Sequence, residues 1–324
     1  MSESKTVLVS GGAGYVGSAL VSRLLRDTNW NVKVFDNLMY GGDSLFQFFN
    51  FEKFSFIKGD LRKFELSKIV ENVDYVVNLA ALVGEPICKK FPKEAQEINF
   101  DANIKLAKKA EEKGIDRYVF TSTCSNYGLS VTDKMLDENV KLDPISLYAE
   151  TKVNSEKILL EQLPKLQTTA LRCATAYGLA SRVRFDLLLH EFIRDAWTKA
   201  KIYVYGAQSW RPIVHVDDIA RAILLIIKNS DRLNKKEVYN IGSNDQNFQK
   251  ISLAKLVANR LKTDIEITST KEDPRNYQVL FDKFTEELKF ETLHKPVETI
   301  DQIAHALESG LIDDRVLFES VNVR

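Results

Sequence analysis

Cysteine is scarce in this chain of 324 residues: Cys88, Cys124 and Cys173, far apart, are all there is. An odd count without paired spacing argues against a disulfide framework, and no pair has the spacing of a metal site. A reduced, cytoplasmic setting is expected. An excess of either charge is also missing. Lysine plus arginine and aspartate plus glutamate both number 45, so the formal net charge is zero. No overall field favours nucleic acid or an anionic membrane, and neither is expected as a partner. Long hydrophobic runs are missing too. The strongest, AILLII at 222–227, is far short of the roughly 20 residues that span a bilayer. The start, MSESKTVLVSGG, goes straight into a strand-like run, so no signal peptide is expected. Repeats, low-complexity tracts and a proline- or glycine-rich linker are absent.

What is present is alternation. TVLVS (6–10), NVKVFD (31–36), FSFIKGD (54–60), DYVVNLAA (74–81), DRYVFTST (116–123) and the start of QTTALRCATAYG (167–178) read as strands. Between them, SALVSRLLRD (18–27), ANIKLAKKAEEKG (102–114) and SLYAETKVNSEKILLEQL (146–163) carry helical spacing of apolar residues. This rhythm predicts a parallel sheet with helices on both faces. After Gly178 it changes. A long amphipathic segment (184–199) leads to IYVYGAQSWRPIVHV (202–216), of strand character with a glycine break. Helices at 216–229, 252–262 and 296–310 and a strand at 237–243 follow. A second, smaller region is expected to grow from this half without a clean boundary.

Glycines 11, 14 and 17 stand between the first strand and its helix, spaced G-x-x-G-x-x-G. Glycines there permit a tight turn and close approach of backbone to a pyrophosphate, and the helix amino terminus offers unpaired amides. Asp36 ends the second strand about 20 residues on, where a carboxylate can accept hydrogen bonds from an adenosine ribose. It would repel a 2′-phosphate, which favours NAD over NADP. Tyr148 and Lys152 are four residues apart on one face of a predicted helix. A free phenol, with a pKa of about 10, is a poor base at neutral pH. A neighbouring ammonium, with the positive charge of an oxidised nicotinamide, would favour the phenolate. That phenolate could take a proton from a substrate alcohol while hydride leaves the same carbon, with a threonine hydroxyl holding the oxygen.

Together these residues resemble the extended short-chain dehydrogenase/reductase family, and within it the NAD-dependent nucleotide-sugar epimerases and dehydratases. The resemblance rests on GGAGYVG (11–17), FDN (35–37), GDL (59–61), NLAA (78–81), INFDAN (98–103), TSTCSNYG (121–128), YAETK (148–152), RPIVHVDDIA (211–220) and EDPRNYQV (272–279). It implies a Rossmann-type doubly wound parallel sheet with a smaller C-terminal α/β substrate-binding region. Residues 1–172, with a return at about 216–243, would bind NAD. Residues 173–215 and 244–295 would bind substrate, and 296–324 would form a C-terminal helix and tail. Gly11, Gly14, Tyr15, Val16 and Gly17 would cradle the cofactor, with Asp36 and Asn37 at its ribose and Asp60 and Leu61 against adenine. Leu79, Ala80 and Ala81 would line the cleft, with Asn99 supporting them from the next helix. Thr123, Tyr148 and Lys152 would be catalytic, Lys152 also bonding the nicotinamide ribose. Arg211 and Arg275 match arginines that grip a substrate diphosphate.

Departures from the family pattern narrow the reaction. Sugar 4,6-dehydratases carry an Asp-Glu pair directly after the catalytic threonine; here Cys124 and Ser125 stand there, which disfavours dehydration. An asparagine common three residues before the glycine of YG is Thr175 here. The Arg-x-Arg-Phe-Asp run at 182–186 is similar to a subgroup that includes enzymes oxidising C4 of a nucleotide-linked heptose. Arg184 is left open between substrate contact and helix surface, and Ser125 and Thr175 join the candidate substrate contacts. Cys124 reads as a small buried hydrophobe, His190 as structural, and His215 as part of a motif without a catalytic role. The resemblance implies an epimerase that oxidises C4 of a nucleotide-diphosphate sugar and returns hydride to the opposite face. A net dehydrogenase or ketoreductase on the same substrate class, and a non-catalytic redox sensor, are the alternatives. A homodimer through the helices near 100–113 and 147–163 is expected by resemblance.

Overall fold

The computed structural model describes residues 4–128, 134–268 and 275–319. Of the motif at 272–279, residues 272–274 lie outside the described residues. The main sheet holds β1 (Thr6–Ser10), β2 (Asn31–Asp36), β3 (Phe54–Lys58), β4 (Tyr75–Asn78), β5 (Arg117–Thr123), β6 (Thr168–Cys173) and a late strand, Lys236–Ile241. Seven strands run in the order β3-β2-β1-β4-β5-β6 and then the late strand, and every pairing is parallel. The predicted α/β class and Rossmann-type sheet are therefore present. The order reverses direction between β1 and β4, where ligands of such sheets bind.

The short apolar runs form central strands because both faces of the sheet are covered. Val7 and Val9 enter one core and Leu8 the other, in strict alternation. The Tyr15–Asp27 helix buries Leu20, Val21, Leu24 and Leu25 and packs against the Val216–Lys228 helix. That second helix turns Ile219, Ile223, Ile226 and Ile227 inward at helical spacing, which accounts for the AILLII run. The Asn103–Glu112 and Leu147–Glu161 helices belong to the opposite face, where Leu106, Ala107 and Leu159 are fully buried.

Beyond β6 the chain builds small sheets around a third core. These contain β7 (Thr175–Tyr177), β8 (Lys201–Tyr205), β9 (Trp210–His215), β11 (Asn247–Gln249) and β12 (Asp264–Thr268), the late strand of the main sheet being β10. β9 lies between β7, parallel, and β11, antiparallel, while β8 and β12 pair alone. The Leu188–Lys199, Lys250–Leu261 and Pro296–Glu308 helices cover them, meeting through Ile193, Val257 and Ile303.

Some elements differ from the periodicity. The amphipathic segment at 184–199 becomes helical only at Leu188, because the carbonyl of Arg184 is taken by the His190 ring and residues 184–187 stay irregular. The helix expected from 102 is preceded by a π-helical turn, Glu97–Ala102. Short helices at Glu85–Lys90, Pro92–Gln96 and Asp282–Leu288 carry too few residues to show a period.

Candidate functional site

One cleft of about 1270 Å³ opens at the carboxyl ends of β1, β2, β4 and β5. Its floor is the turn after β1. Gly11 has φ +81°, and a Cβ on it would stand 2.7 Å from the amide nitrogen of Ala80. A Cβ on Gly17 would stand 2.2 Å from the Gly11 carbonyl oxygen, so the helix can close on the turn only with glycine there. The Tyr15–Asp27 helix starts at Gly14 with no side-chain cap, leaving its first amides for a ligand. Asp36 sits at the rim. One of its oxygens accepts from Ala13 N at 3.0 Å and the other from Leu38 N at 2.8 Å. Burial raises its pKa above the ordinary carboxylate value, and these amides oppose that rise. Asp60 pairs with Arg62 at 2.6 Å, and that pairing lowers its pKa.

Gly11, Gly14, Tyr15, Val16, Gly17, Asp36, Asn37, Asp60, Leu61, Leu79, Ala80 and Ala81 all line this cleft. Asn99 does not. It is 1% exposed, sits in the π-helical turn, and bonds both backbone groups of Leu82, at 2.8 and 3.0 Å. It therefore acts on the cleft only through the backbone that follows Ala81. The cradle formed by the glycines, the uncapped helix start and the rim carboxylate fits a dinucleotide. Thr121 Oγ1, buried in the same cleft without a hydrogen-bond partner, leaves a hydroxyl for a ligand to meet.

Thr123, Tyr148 and Lys152 line the same space. Thr123 ends β5, and its hydroxyl accepts from Ser125 N at 3.1 Å, capping a tight turn over Cys124–Tyr127. Ser146 caps the Leu147–Glu161 helix and places Tyr148 in its first turn. Lys152, one turn on, donates from Nζ to the Thr121 carbonyl at 2.8 Å. The same Nζ lies 5.9 Å from the Tyr148 ring centroid and 4.7 Å from that of Phe120. Burial pushes the ammonium down to about 8. Burial also pushes the Tyr148 phenol up, and the charge that opposes the rise is that of Arg184. The expectation joined this ammonium to the positive charge of an oxidised nicotinamide. Desolvation outweighs a lysine that is itself desolvated, so lowering the phenol calls for further positive charge in the cleft.

Behind this loop stands a buried ion pair. Arg172 on β6 meets Glu156 at 2.8 Å, with side chains 7% and 3% exposed. Glu156 also accepts from Ser122 and from Asn126 Nδ2, and so ties the turn after Thr123 to the helix that carries Tyr148. Cys124 points into this interior, 1% exposed, with Sγ toward the Arg172 carbonyl at 3.2 Å. Burial raises its thiol well above the usual range.

The remaining candidates, apart from Ser125 in the turn after Thr123, approach from the far wall. Ser125, Thr175, Arg184, Arg211 and Arg275 line the cleft. Arg211 on β9 donates to the Arg275 carbonyl at 2.6 Å, which joins two residues distant in sequence. Arg184 pairs with Asp186 at 2.6 Å and reaches the Val83 carbonyl at 3.4 Å. It precedes the Leu188–Lys199 helix, so the helix-surface alternative does not apply. His190 is fully buried, accepting from Gly178 N at 2.9 Å and facing the Arg184 carbonyl at 2.6 Å. His215 accepts from Asp217 N at 3.1 Å, capping its helix, and stacks on His294 at 4.0 Å. Tyr40, Arg182, Asp186, Glu191 and Lys250 also line the cleft and were missed. Only the Arg-x-Arg-Phe-Asp run pointed toward two of them. The others are brought in by long-range packing that no local pattern encodes.

A family model described as NAD dependent epimerase/dehydratase family matches residues 7–242. A UDP-glucose 4-epimerase from Lactobacillus helveticus is 30% identical over 258 residues, covering 73% of this chain and 76% of its own. A human dTDP-D-glucose 4,6-dehydratase is 26% identical over 268 residues, covering 80% and 75%. Among solved structures, MoeE5 in complex with UDP-glucose and NAD superposes with a TM-score of 0.80 at 27% identity, covering 95% of this chain and all of its own.

Proposed function

Because the chain belongs to the NAD-dependent epimerase/dehydratase family, we propose that it is an NAD-dependent epimerase acting at C4 of a nucleotide-diphosphate sugar. The observation that carries this reading is the meeting of Thr123, Tyr148 and Lys152 with the dinucleotide cradle in one cleft, with no carboxyl pair after the threonine. Cys124 is turned into the core and Ser125 is a hydroxyl, so neither supplies the acid and base that eliminate water.

NAD, held by the Gly11–Gly17 turn, Asp36, Asn37, Asp60, Leu61 and the 79–81 backbone, supplies a hydride acceptor and donor when bound. Tyr148 takes the C4 hydroxyl proton at its phenolic oxygen and gives it back. Thr123 holds the substrate oxygen. Lys152, fixed by the Thr121 carbonyl, adds positive charge and reaches the nicotinamide ribose. Ser125, Thr175 and Arg184 contact the sugar, and Arg211 and Arg275 hold the diphosphate from across the cleft, so that the 4-keto sugar can turn without leaving. Residues 1–172 and 216–243 serve cofactor binding, and residues 173–215 and 244–295 serve substrate binding, with the Pro296–Glu308 helix on the C-terminal side. The homodimer would pair the 103–112 and 147–161 helices. Their outward side chains are largely charged or polar, among them Lys105, Lys108, Glu150, Asn154 and Lys157, so ion pairs rather than apolar area would hold it.

The test is a panel of UDP-, GDP-, dTDP- and CDP-sugars, with products identified and the absorbance of reduced nicotinamide followed. An epimer formed without net reduction supports the reading. Stoichiometric NADH would make the protein a dehydrogenase on the same substrates, and a 4-keto-6-deoxy product would make it a dehydratase.

A further inference from the structure

Residues 178–187 cross the cleft without forming helix or strand, yet they are stitched to the dinucleotide side along their length. The Tyr15 hydroxyl, at the start of the first helix, donates to the Gly178 carbonyl at 2.6 Å. Gln47 Nε2 donates to Ser181 Oγ. The Arg182 guanidinium lies 4.2 Å from the centroid of the Tyr40 ring, a cation–π distance. Arg184 reaches the Val83 carbonyl at 3.4 Å. The partners are 163, 134 and 101 residues apart for the three hydrogen bonds, so no local propensity explains the row. A single clamp anchors the far side. The buried His190 ring accepts from Gly178 N and faces the Arg184 carbonyl, holding both ends of the stitched span. Gly178, at φ +108°, makes the bend, where a Cβ would stand 2.2 Å from the His215 ring.

This span faces the same cleft as the groups that cradle a dinucleotide. Gly14, Tyr15, Asp36, Asn37, Tyr40, Arg182 and Arg184 share the cleft. Arg182 feels Asp36 electrostatically, and burial pushes its guanidinium down to about 10. A cation in that state gains from an anionic ligand placed beside it.

We propose that residues 178–187 are a strap over the bound dinucleotide, with Arg182 stacked on Tyr40 as its latch and His190 as its anchor. The latch makes Arg182 and Tyr40 cofactor-retaining residues, supplied from opposite walls. Cofactor release then requires the strap to lift, whereas the nucleotide sugar comes and goes at the Arg211 and Arg275 end. Retention of the dinucleotide through many turnovers suits a redox-neutral reaction. This inference rests on the proposed function only in taking the dinucleotide as the resident ligand.

The test measures retention, not turnover. Full-length protein is purified, its NAD content is determined, and the release rate is followed as bound NAD is lost to an enzymatic scavenger. R182M keeps the aliphatic stem and loses the charge; Y40A removes the stacking face. Each is expected to release NAD about tenfold faster than the parent, the worth of one partly desolvated cation–π contact, with thermal unfolding unchanged. If R182M fails to fold, Y40A carries the same comparison. Release from a folded variant at the parental rate overturns the strap and leaves the epimerase reading intact. A parent protein that holds no NAD at all overturns both.

Discussion

All three cysteines fall within the first 173 residues, and all four histidines fall after residue 178. The division follows the two walls of the cleft. One wall is the end of a seven-stranded parallel sheet, whose side chains point where strand alternation sends them. Its thiols are buried, and burial pushes Cys88 up to about 11 and Cys173 up to about 12. The other wall is made of short strands, irregular spans and side-chain clamps. Its histidines act as structural acceptors, His190 on a loop amide and His215 at a helix start. A regular sheet can place a catalytic group from local sequence, because the strand ends where the site begins. An irregular wall must be assembled by contacts between residues more than a hundred positions apart.

If the sheet wall carries the chemistry and the irregular wall the grip, changes on each should separate cleanly. Y148F removes the one hydroxyl proposed to move a proton and keeps the ring. The rate constant kcat should fall roughly a thousandfold, within the span of general acid–base effects and about 4 kcal/mol of barrier. NAD content and the apparent affinity for nucleotide sugar should change less than about threefold. Steady-state kinetics with a titration of bound cofactor tests this. A Y148F protein with near-parental kcat would break the comparison at its centre, since the sheet wall would then not hold the base.

The rigidity of that wall is traced to the pair beneath it. E156Q leaves Arg172 buried without its counter-charge and weakens the ties to Ser122 and Asn126. Breaking such a pair costs about 3–5 kcal/mol, to be read as a lower urea midpoint. A double substitution to apolar residues of similar volume at 156 and 172 should recover much of that stability. It should not recover kcat, because the turn after Thr123 would have lost its anchor. Recovery of both would show that the ion pair matters only for folding.

These walls also differ in how far the sequence disclosed them. Every strand of the main sheet was visible as an apolar run, and Gly11, Gly14, Gly17, Asp36, Tyr148 and Lys152 lie where strand-end logic places them. Asn99 was visible as a residue but not as a buried brace, because a π-helical turn has no periodic signature. Thr175, Arg211 and Arg275 were found by motif alone. Tyr40 and Lys250 were not found, since nothing local distinguishes a cleft tyrosine or lysine from a solvated one, and Arg182 was touched only by the Arg-x-Arg-Phe-Asp run. The electrostatic reading of Tyr148 was incomplete for a related reason. Sequence shows a neighbouring charge but not the desolvation that opposes it.

Acid should separate the walls by an effect somewhat smaller again. His190 is fully buried and its pKa is lowered from 6.5 to about 4, chiefly by burial. A depressed base is protonated in the unfolded chain before the native one, so the unfolded state binds more protons between those values. Stability contributed by the neutral ring is therefore complete above about pH 6.5, is lost as pH falls toward 4, and levels off below. The full span amounts to about 3 kcal/mol for His190. Asp217, paired with Arg23 and His294 and lowered to about 2, titrates below this window and will not mask it. Urea unfolding at pH 7, 5.5 and 4.5 should show the fall, and H190Q should remove about half of it, because His215, also lowered to about 4 chiefly by burial, titrates in the same window. Hydrogen exchange should locate the first opening at Gly178 and the start of the 188–199 helix, while amides of β1 and β4 stay protected. Exchange that begins in the main sheet instead would mean that the irregular wall is the better built of the two, and the contrast between them would have to be reversed.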